Sequence, residues 1–284
     1  MFYSKTLNGE TMVYDCFTFF NELDLLEIRL NELDSVVDKF VIVECTETHS
    51  KAKKQLFFDK NKDRFNKFSD KIIHIIVDDA PDIVQNLSQK PDRWIVEKFQ
   101  RNCIERGLTS CADNDIILVS DIDEIPSSLA VRKSIELLDK NNVCTVSFKQ
   151  RFFYYFLNGL CFSGNTEYPW LGTVACYFKN FAGGDNTRMT KGQNANVIND
   201  AGWHFSYLGG IEKIVNKIES FAHSEFDNSN IKNKDRIKDR IDKGIDIFDR
   251  ARGPRQVYIE IDKSFPEYLR NNTEKFKHLI KETS

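Results

Sequence analysis

The chain has 284 residues, of which 41% are hydrophobic and 29% charged, with a net charge of −3. That length holds one large α/β domain, or one domain with a helical appendage. The slightly acidic balance excludes the basic surface that a nucleic-acid partner needs, so none is expected.

No apolar run reaches the length of a bilayer span. The opening segment MFYSKTLNGETMVYDC lacks the charged start and apolar stretch of a secretory signal. A cytoplasmic protein is therefore expected, with at most peripheral association with a membrane. The seven cysteines agree with a reducing compartment, and Cys16, Cys45, Cys103, Cys144 and Cys176 read as small buried hydrophobes. No CxxC pair occurs, which argues against a structural zinc site. The sequons Asn86-Leu87-Ser88 and Asn271-Asn272-Thr273 are treated as chance.

In chain order, Met12 to Phe17 is a strand candidate. Asn21 to Val37 carries apolar residues at helical spacing, with Asn21 as the N-cap and Glu22 and Asp24 suited to a helix start. Phe40 to Cys45 is a second strand, 59–68 a short helix and Lys71 to Val77 a third strand. Arg93 to Arg106 is helical in pattern, with Gly107 as its stop. The strand Asp115 to Ser120 follows, then a helix opened by Pro126 and running to about Leu138. Val143 to Phe148 is a fifth strand. This alternation predicts an α/β fold with a mainly parallel sheet flanked by helices.

Beyond it, RFFYYFL (151–157) is strongly aromatic, Tyr168 to Gly172 reads as a turn and Thr173 to Phe178 as a strand. Gly183-Gly184-Asp185 suggests a flexible loop. Ile211 to Phe221 is a helix, and Asn228 to Lys243, rich in Lys, Asp and Asn, reads as a mobile or solvated stretch.

In a parallel α/β sheet ligands gather at the carboxyl ends of the strands. The segment IILVSDIDEIP ends an apolar strand at that edge in Asp121, Asp123 and Glu124. Glu44 and Asp79 end the second and third strands on the same rim. Asp-x-Asp places two hard oxygen donors on one side of an extended segment, which suits Mn²⁺ or Mg²⁺ with phosphate oxygens and water completing the shell. Solvated strand-end acids are the equally weighted alternative. His204, in a glycine-flanked aromatic segment, is a candidate third ligand or phosphate donor, against a core histidine with satisfied nitrogens. Trp170 and Trp203 are candidates for stacking on a sugar, against core packing. Arg101, with Gln100 beside it, suits a diphosphate or a rim carboxylate. His49 sits in a polar loop suited to a substrate contact.

Taken together, MVYDCFTFFNELDLLEIRLNEL, FVIVECTETHS with KKQLFF, WIVEKFQRN, ILVSDIDEIP and GWHFSYLGG resemble glycosyltransferase family 17 over Met12 to His223. The resemblance implies a GT-A-like (Rossmann-like) fold and inverting, metal-dependent transfer from UDP-GlcNAc, of the β-1,4-N-acetylglucosaminyltransferase kind. Residues 1–225 would form the catalytic domain, with 1–150 its nucleotide-sugar half and 151–225 its acceptor side. Residues 226–284 would form a charged helical extension. The resemblance assigns Asp121 and Asp123 to the family's Asp-x-Asp, Trp203, His204 and Ser206 to its Trp-His-x-Ser, and Asn21 and Glu22 to its Phe-Asn-Glu. The implied metal ligands are Asp121, Asp123 and His204. Phe17, Asn21, Glu22, Glu44, Asp79, Arg101, Asp121 and Trp203 are the expected nucleotide-sugar contacts. Glu167, Asp185 and Glu225 are candidates for the general base, with Glu225 preferred, beside Asp123 and His204 in the catalytic set. The partners expected are a UDP-sugar donor and a glycan or glycolipid acceptor. Another sugar-nucleotide enzyme, such as a nucleotidyltransferase, and a non-catalytic glycan-binding protein are the alternatives. The first would carry a Gly-rich basic phosphate loop, absent from CFTFFNELD. The second has no use for the paired aspartates.

Overall fold

A computed structural model describes residues 11–82, 92–141, 143–193, 196–250 and 253–283. The sequon at 86–88 lies outside them. The N-terminal half alternates β1 (Val13–Phe19), α1 (Leu23–Leu33), β2 (Lys39–Cys45), α2 (Phe57–Asn61), β3 (Ile72–Val77), α3 (Trp94–Asn102) and β4 (Ile116–Asp121). There follow β5 (Glu124–Pro126), α4 (Ser128–Asn141), β6 (Thr145–Tyr154), β7 (Gly159–Ser163), β8 (Thr166–Glu167) and β9 (Pro169–Tyr177). The remainder comprises α5 (Gly184–Met189), β10 (Val197–Ile198), β11 (Gly202–Ser206), α6 (Gly210–Ser220), α7 (Lys234–Lys243), β12 (Arg255–Tyr258), α8 (Glu267–Asn271) and α9 (Thr273–Phe276).

One sheet runs in the order β12-β7-β6-β9-β4-β1-β2-β3. The expected α/β sheet flanked by helices is the observed architecture. Its parallel part is β4-β1-β2-β3, built by helical crossovers. In the second half β9 inserts antiparallel between β4 and β6, while β11 lies parallel to β6 and antiparallel to β5. β11 therefore bridges the segment after β4 to the aromatic strand β6.

Helix α1 is apolar enough to be buried almost all round. Leu25, Leu26, Ile28, Leu30 and Leu33 are buried, each leucine worth about 1.5–3 kcal/mol of removal from water. The same apolar cluster holds Phe17, Phe153, Trp203 and the C-terminal residues Phe265, Leu269, Phe276 and Leu279.

Several local expectations are corrected. α1 starts at Leu23, and Asn21 does not cap it. The Glu22 carboxylate instead accepts the backbone N–H groups of Phe20 and Asn21, which folds the turn after β1. Pro126 closes β5, and the hydroxyl of Ser127 accepts the Ala130 N–H to start α4. The helix predicted over 93–106 narrows to a 3₁₀ turn at Cys103–Gly107. Tyr168 to Gly172 is no turn: β9 begins at Pro169 and Trp170 lies opposite Gln150 of β6. Gly184 and Asp185 open α5 rather than a loop, and Asp185 is buried. The polar stretch 228–243 ends in α7, capped by Asn233 and anchored by buried Ile237 and Ile241. Cys144 is exposed, unlike Cys16, Cys45, Cys103 and Cys176.

Candidate active site

The carboxyl ends of β1, β2 and β4 open into a cleft of about 340 Å³. One side is mostly polar, with Thr18, His49, Gln100 and Arg101. The facing side comes from the second half and is aromatic, with Phe152, Tyr168, Trp170 and His204. Asp121 and Asp123 lie between them, and Glu22 and Lys217 complete this region.

The turn that carries the two aspartates is held from beneath. Arg29 is fully buried in α1 and pairs with Asp15 of β1 through both Nε (2.7 Å) and Nη2 (2.6 Å). Its Nη1 donates to the carbonyls of Asp121 (3.0 Å), Ile122 (3.3 Å) and Glu124 (3.0 Å), and its Nη2 to the Ser120 hydroxyl (2.5 Å). The ring of Phe17 lies under the guanidinium, 4.3 Å away. Phe17, expected at the nucleotide, thus supports the turn from the core.

A second arginine holds the turn from the side. Arg188 of α5 donates to Asp121 Oδ2 (2.7 Å) and to both oxygens of the buried Glu124 (2.6 and 2.8 Å). Trp170 Nε1 donates to Glu124 Oε1 at 2.8 Å. Arg101 Nη2 reaches Asp121 Oδ1 at 3.3 Å while its Nη1 donates to Asp185 at 2.6 Å. Burial alone would raise the Asp121 carboxyl, but Arg188 and Arg101 outweigh it and hold it down to about 2. Asp121 is expected among the metal ligands; in the structure the Arg101 and Arg188 guanidinium groups face its two oxygens.

Asp123 is differently placed. Its Oδ2 accepts from Lys217 Nζ at 2.9 Å and its Oδ1 lies 3.6 Å from His204 Nε2. Burial would raise this carboxyl, but Lys217 and then His204 hold it well below the ordinary range. The His204 ring packs against both Phe152 (4.8 Å) and Trp170 (4.1 Å), which also touch each other at 5.2 Å, and its buried Nδ1 has no hydrogen-bond partner.

The alternation of β11 separates its residues. His204 and Ser206 face the cleft, while Trp203 packs in the core and donates Nε1 to the Ser264 carbonyl at 2.8 Å. Trp203 is therefore not a cleft residue. Glu44 is buried at the start of α2, where it accepts the Phe57 and Phe58 N–H groups and faces His74 Nε2 at 3.2 Å. Asp79 is an exposed partner of Arg106. Neither acid lines the cleft. Asn21 borders a smaller adjoining cavity with Glu22, Asp123 and Lys217. Among the candidate bases, Glu167 pairs with Arg151 and Asp185 with Arg101. Glu225 pairs with His223 on a rim segment whose Phe221, His223 and Phe226 line the cleft.

Among the described residues no group of three or more His, Cys, Asp or Glu side chains converges on one point. Asp123 and His204 nevertheless fit a divalent ion. Their 3.6 Å separation suits two donors each about 2.1 Å from one ion, and Mg²⁺ commonly takes only one or two protein carboxylates beside phosphates and water. The orphan Nδ1 is the nitrogen that a ligating histidine leaves for an outer partner.

A cleft with buried carboxylates and an aromatic wall at the strand ends of an α/β sheet is where enzymes of this architecture place their active sites. The family model for glycosyltransferase family 17 matches residues 3–283, and the chain belongs to that family. Similar curated proteins are the β-1,4-mannosyl-glycoprotein 4-β-N-acetylglucosaminyltransferases of Homo sapiens (24% identical) and Rattus norvegicus (23%), each aligned over 92% of this chain and 53% of its own length. The chain thus spans about half the length of the curated relatives it matches. Among solved structures, a 4-diphosphocytidyl-2C-methyl-D-erythritol synthase aligns over 60% of this chain and 76% of its own, with 17% identity and a TM-score of 0.31.

Arg29, Arg188 and Lys217 are site residues that sequence reasoning misses, and Glu124 is seen there, as the third acid of the strand end, without a role. The three missed are cations on helices, where a solvated face is the ordinary reading.

Proposed function

We propose that the chain is a metal-dependent inverting glycosyltransferase of GT-A type that moves N-acetylglucosamine from UDP-GlcNAc to a hydroxyl of a glycan or glycolipid. The observation that carries this reading is the Asp123–His204 pair on the floor of the cleft, in a chain of glycosyltransferase family 17. The names of the relatives support the donor sugar. The donor nucleotide would lie over the parallel half, against Thr18, His49, Gln100 and Arg101, and the acceptor sugar against Tyr168 and Trp170.

Asp123 and His204 would hold Mn²⁺ or Mg²⁺, which when bound neutralises charge on the departing diphosphate. Asp121 keeps Arg101 and Arg188 oriented at the edge of the donor site. A carboxylate takes the proton of the acceptor hydroxyl, and Glu225 on the rim remains the residue preferred for it. A cytoplasmic location, with contact to a membrane surface at most peripheral, is part of the same reading and accords with seven unpaired thiols.

The test is a transfer assay with UDP-GlcNAc on a glycan array, with NMR of the product linkage. Asp123→Ala and EDTA should each abolish transfer, and the product should be β-linked. Undiminished transfer in EDTA, or an α-linked product, overturns the reading.

A further inference from the structure

Lys217 stands where the proposed ion would be attracted. Its Nζ is 2.9 Å from Asp123 Oδ2, while the other oxygen of that carboxylate faces His204 Nε2 at 3.6 Å. The lysine is not a drifting surface chain. Its neighbours on α6, Ile214 and Ile218, are buried and fix the helix, and its ammonium lies 5.1 Å from the Tyr207 ring centroid. A left-handed segment, with Tyr207 at φ 56° and Gly209 at φ 92°, joins α6 to β11, so one short connection sets both Lys217 and His204 around Asp123. Lys217 also borders the small cavity beside Glu22 and Asn21, which is space adjoining its present position.

We propose that Lys217 is a built-in counter-cation that shares Asp123 with the divalent ion, so that the ion enters only as the ammonium leaves. The proposal rests on the metal reading given above. Two cations on one buried carboxylate repel strongly in a cleft of low dielectric. The ammonium therefore lowers the affinity of the ion when the donor is absent. An incoming diphosphate offers the displaced ammonium a new anion. Ion and donor then bind cooperatively, each favouring the other by the same factor.

The experiment measures Mn²⁺ binding directly, by the EPR signal of the free ion, with the full chain and no nucleotide. Lys217→Met should bind Mn²⁺ about tenfold more tightly than the parent, in keeping with the coupling of close charge pairs. Lys217→Arg, which keeps the cation, should stay near the parent. Equal or weaker binding by Lys217→Met overturns the proposal and leaves the metal reading standing. No Mn²⁺ binding by the parent or either variant, with or without UDP, overturns both. A second measurement needs no variant: reductive methylation of the parent followed by mass spectrometry. Mn²⁺ should raise the labelling rate of Lys217 several-fold as the ammonium leaves Asp123, and an unchanged rate with the ion bound overturns the proposal.

Discussion

The Arg188 guanidinium meets the buried Glu124 carboxylate edge to edge, with Nη1 2.6 Å from Oε2 and Nη2 2.8 Å from Oε1. The same Nη2 continues to Asp121 Oδ2 at 2.7 Å. Glu124 has no exposed surface, and Arg188 is the cation paired with its carboxylate. Removing one member of such a pair strands the other in a region where water cannot replace it.

Arg188→Met should therefore destabilise the protein by about 3–5 kcal/mol, measured by urea unfolding. The double variant Arg188→Met with Glu124→Gln should recover much of that loss, because no buried charge is left unpaired. Equal stability of the single and double variants would show that Glu124 has another source of compensation.

Arg29 carries more than one charge pair. Its fork joins Asp15 to the carbonyls of Asp121, Ile122 and Glu124 in the turn that presents Asp121 and Asp123. Lysine offers a point charge without that planar fork. Arg29→Lys should cost about 3 kcal/mol or more and lower transfer beyond what the loss of folded protein explains. Activity per folded molecule, with the folded fraction read from circular dichroism, separates the two effects.

Asp121 is one of the carboxylates that make the stability of the fold depend on acid. Its carboxyl is held at about 2 when folded, against an ordinary value of about 3.9. A carboxyl depressed in the folded state adds stability above its unfolded value and loses it as pH falls through the folded one. Stability should thus decline between about pH 4 and pH 2 in the parent. Asp121→Asn should flatten that part of the profile, followed by thermal unfolding at a series of pH values. An identical slope in the variant would remove Asp121 from the account.

The strand end at Asp121 was legible because an apolar run that stops in acids is a local pattern. So was the parallel half of the sheet, where each strand and helix follows its neighbour in sequence. Arg29 was not, because in LDLLEIRLNEL it takes the place of a solvated residue, and its partner Asp15 likewise reads as the outward face of β1. The pair becomes visible only when α1 is laid against β1. The glycines of Gly183-Gly184-Asp185 argued for a loop, yet a Cβ on Gly184 would come 2.1 Å from the Arg101 carbonyl. That glycine lets α5 approach α3, which brings Arg188 to the acids. β9 was hidden for a related reason. Pro169 and Gly172 signal a turn locally, and the antiparallel partners in β4 and β6 override that signal.

Neighbouring residues on β11 give the last prediction, because alternation sends them to opposite faces. Trp203 belongs to the apolar core and satisfies its indole N–H on the Ser264 carbonyl. Trp203→Ala should cost about 3–5 kcal/mol of stability. The folded fraction of that variant should keep its affinity for UDP in the presence of Mn²⁺, measured by calorimetry. His204 faces the cleft, stacked against Phe152 and Trp170, and its Nδ1 makes no hydrogen bond that a substitution would break. His204→Phe keeps an aromatic ring in that stack and should leave stability within about 1 kcal/mol of the parent. It should weaken the ion-dependent part of UDP binding at least tenfold, the loss expected when one donor is taken from a metal shell. If Trp203→Ala abolished UDP binding in the folded fraction while His204→Phe preserved it, the faces of β11 would be assigned the wrong way round.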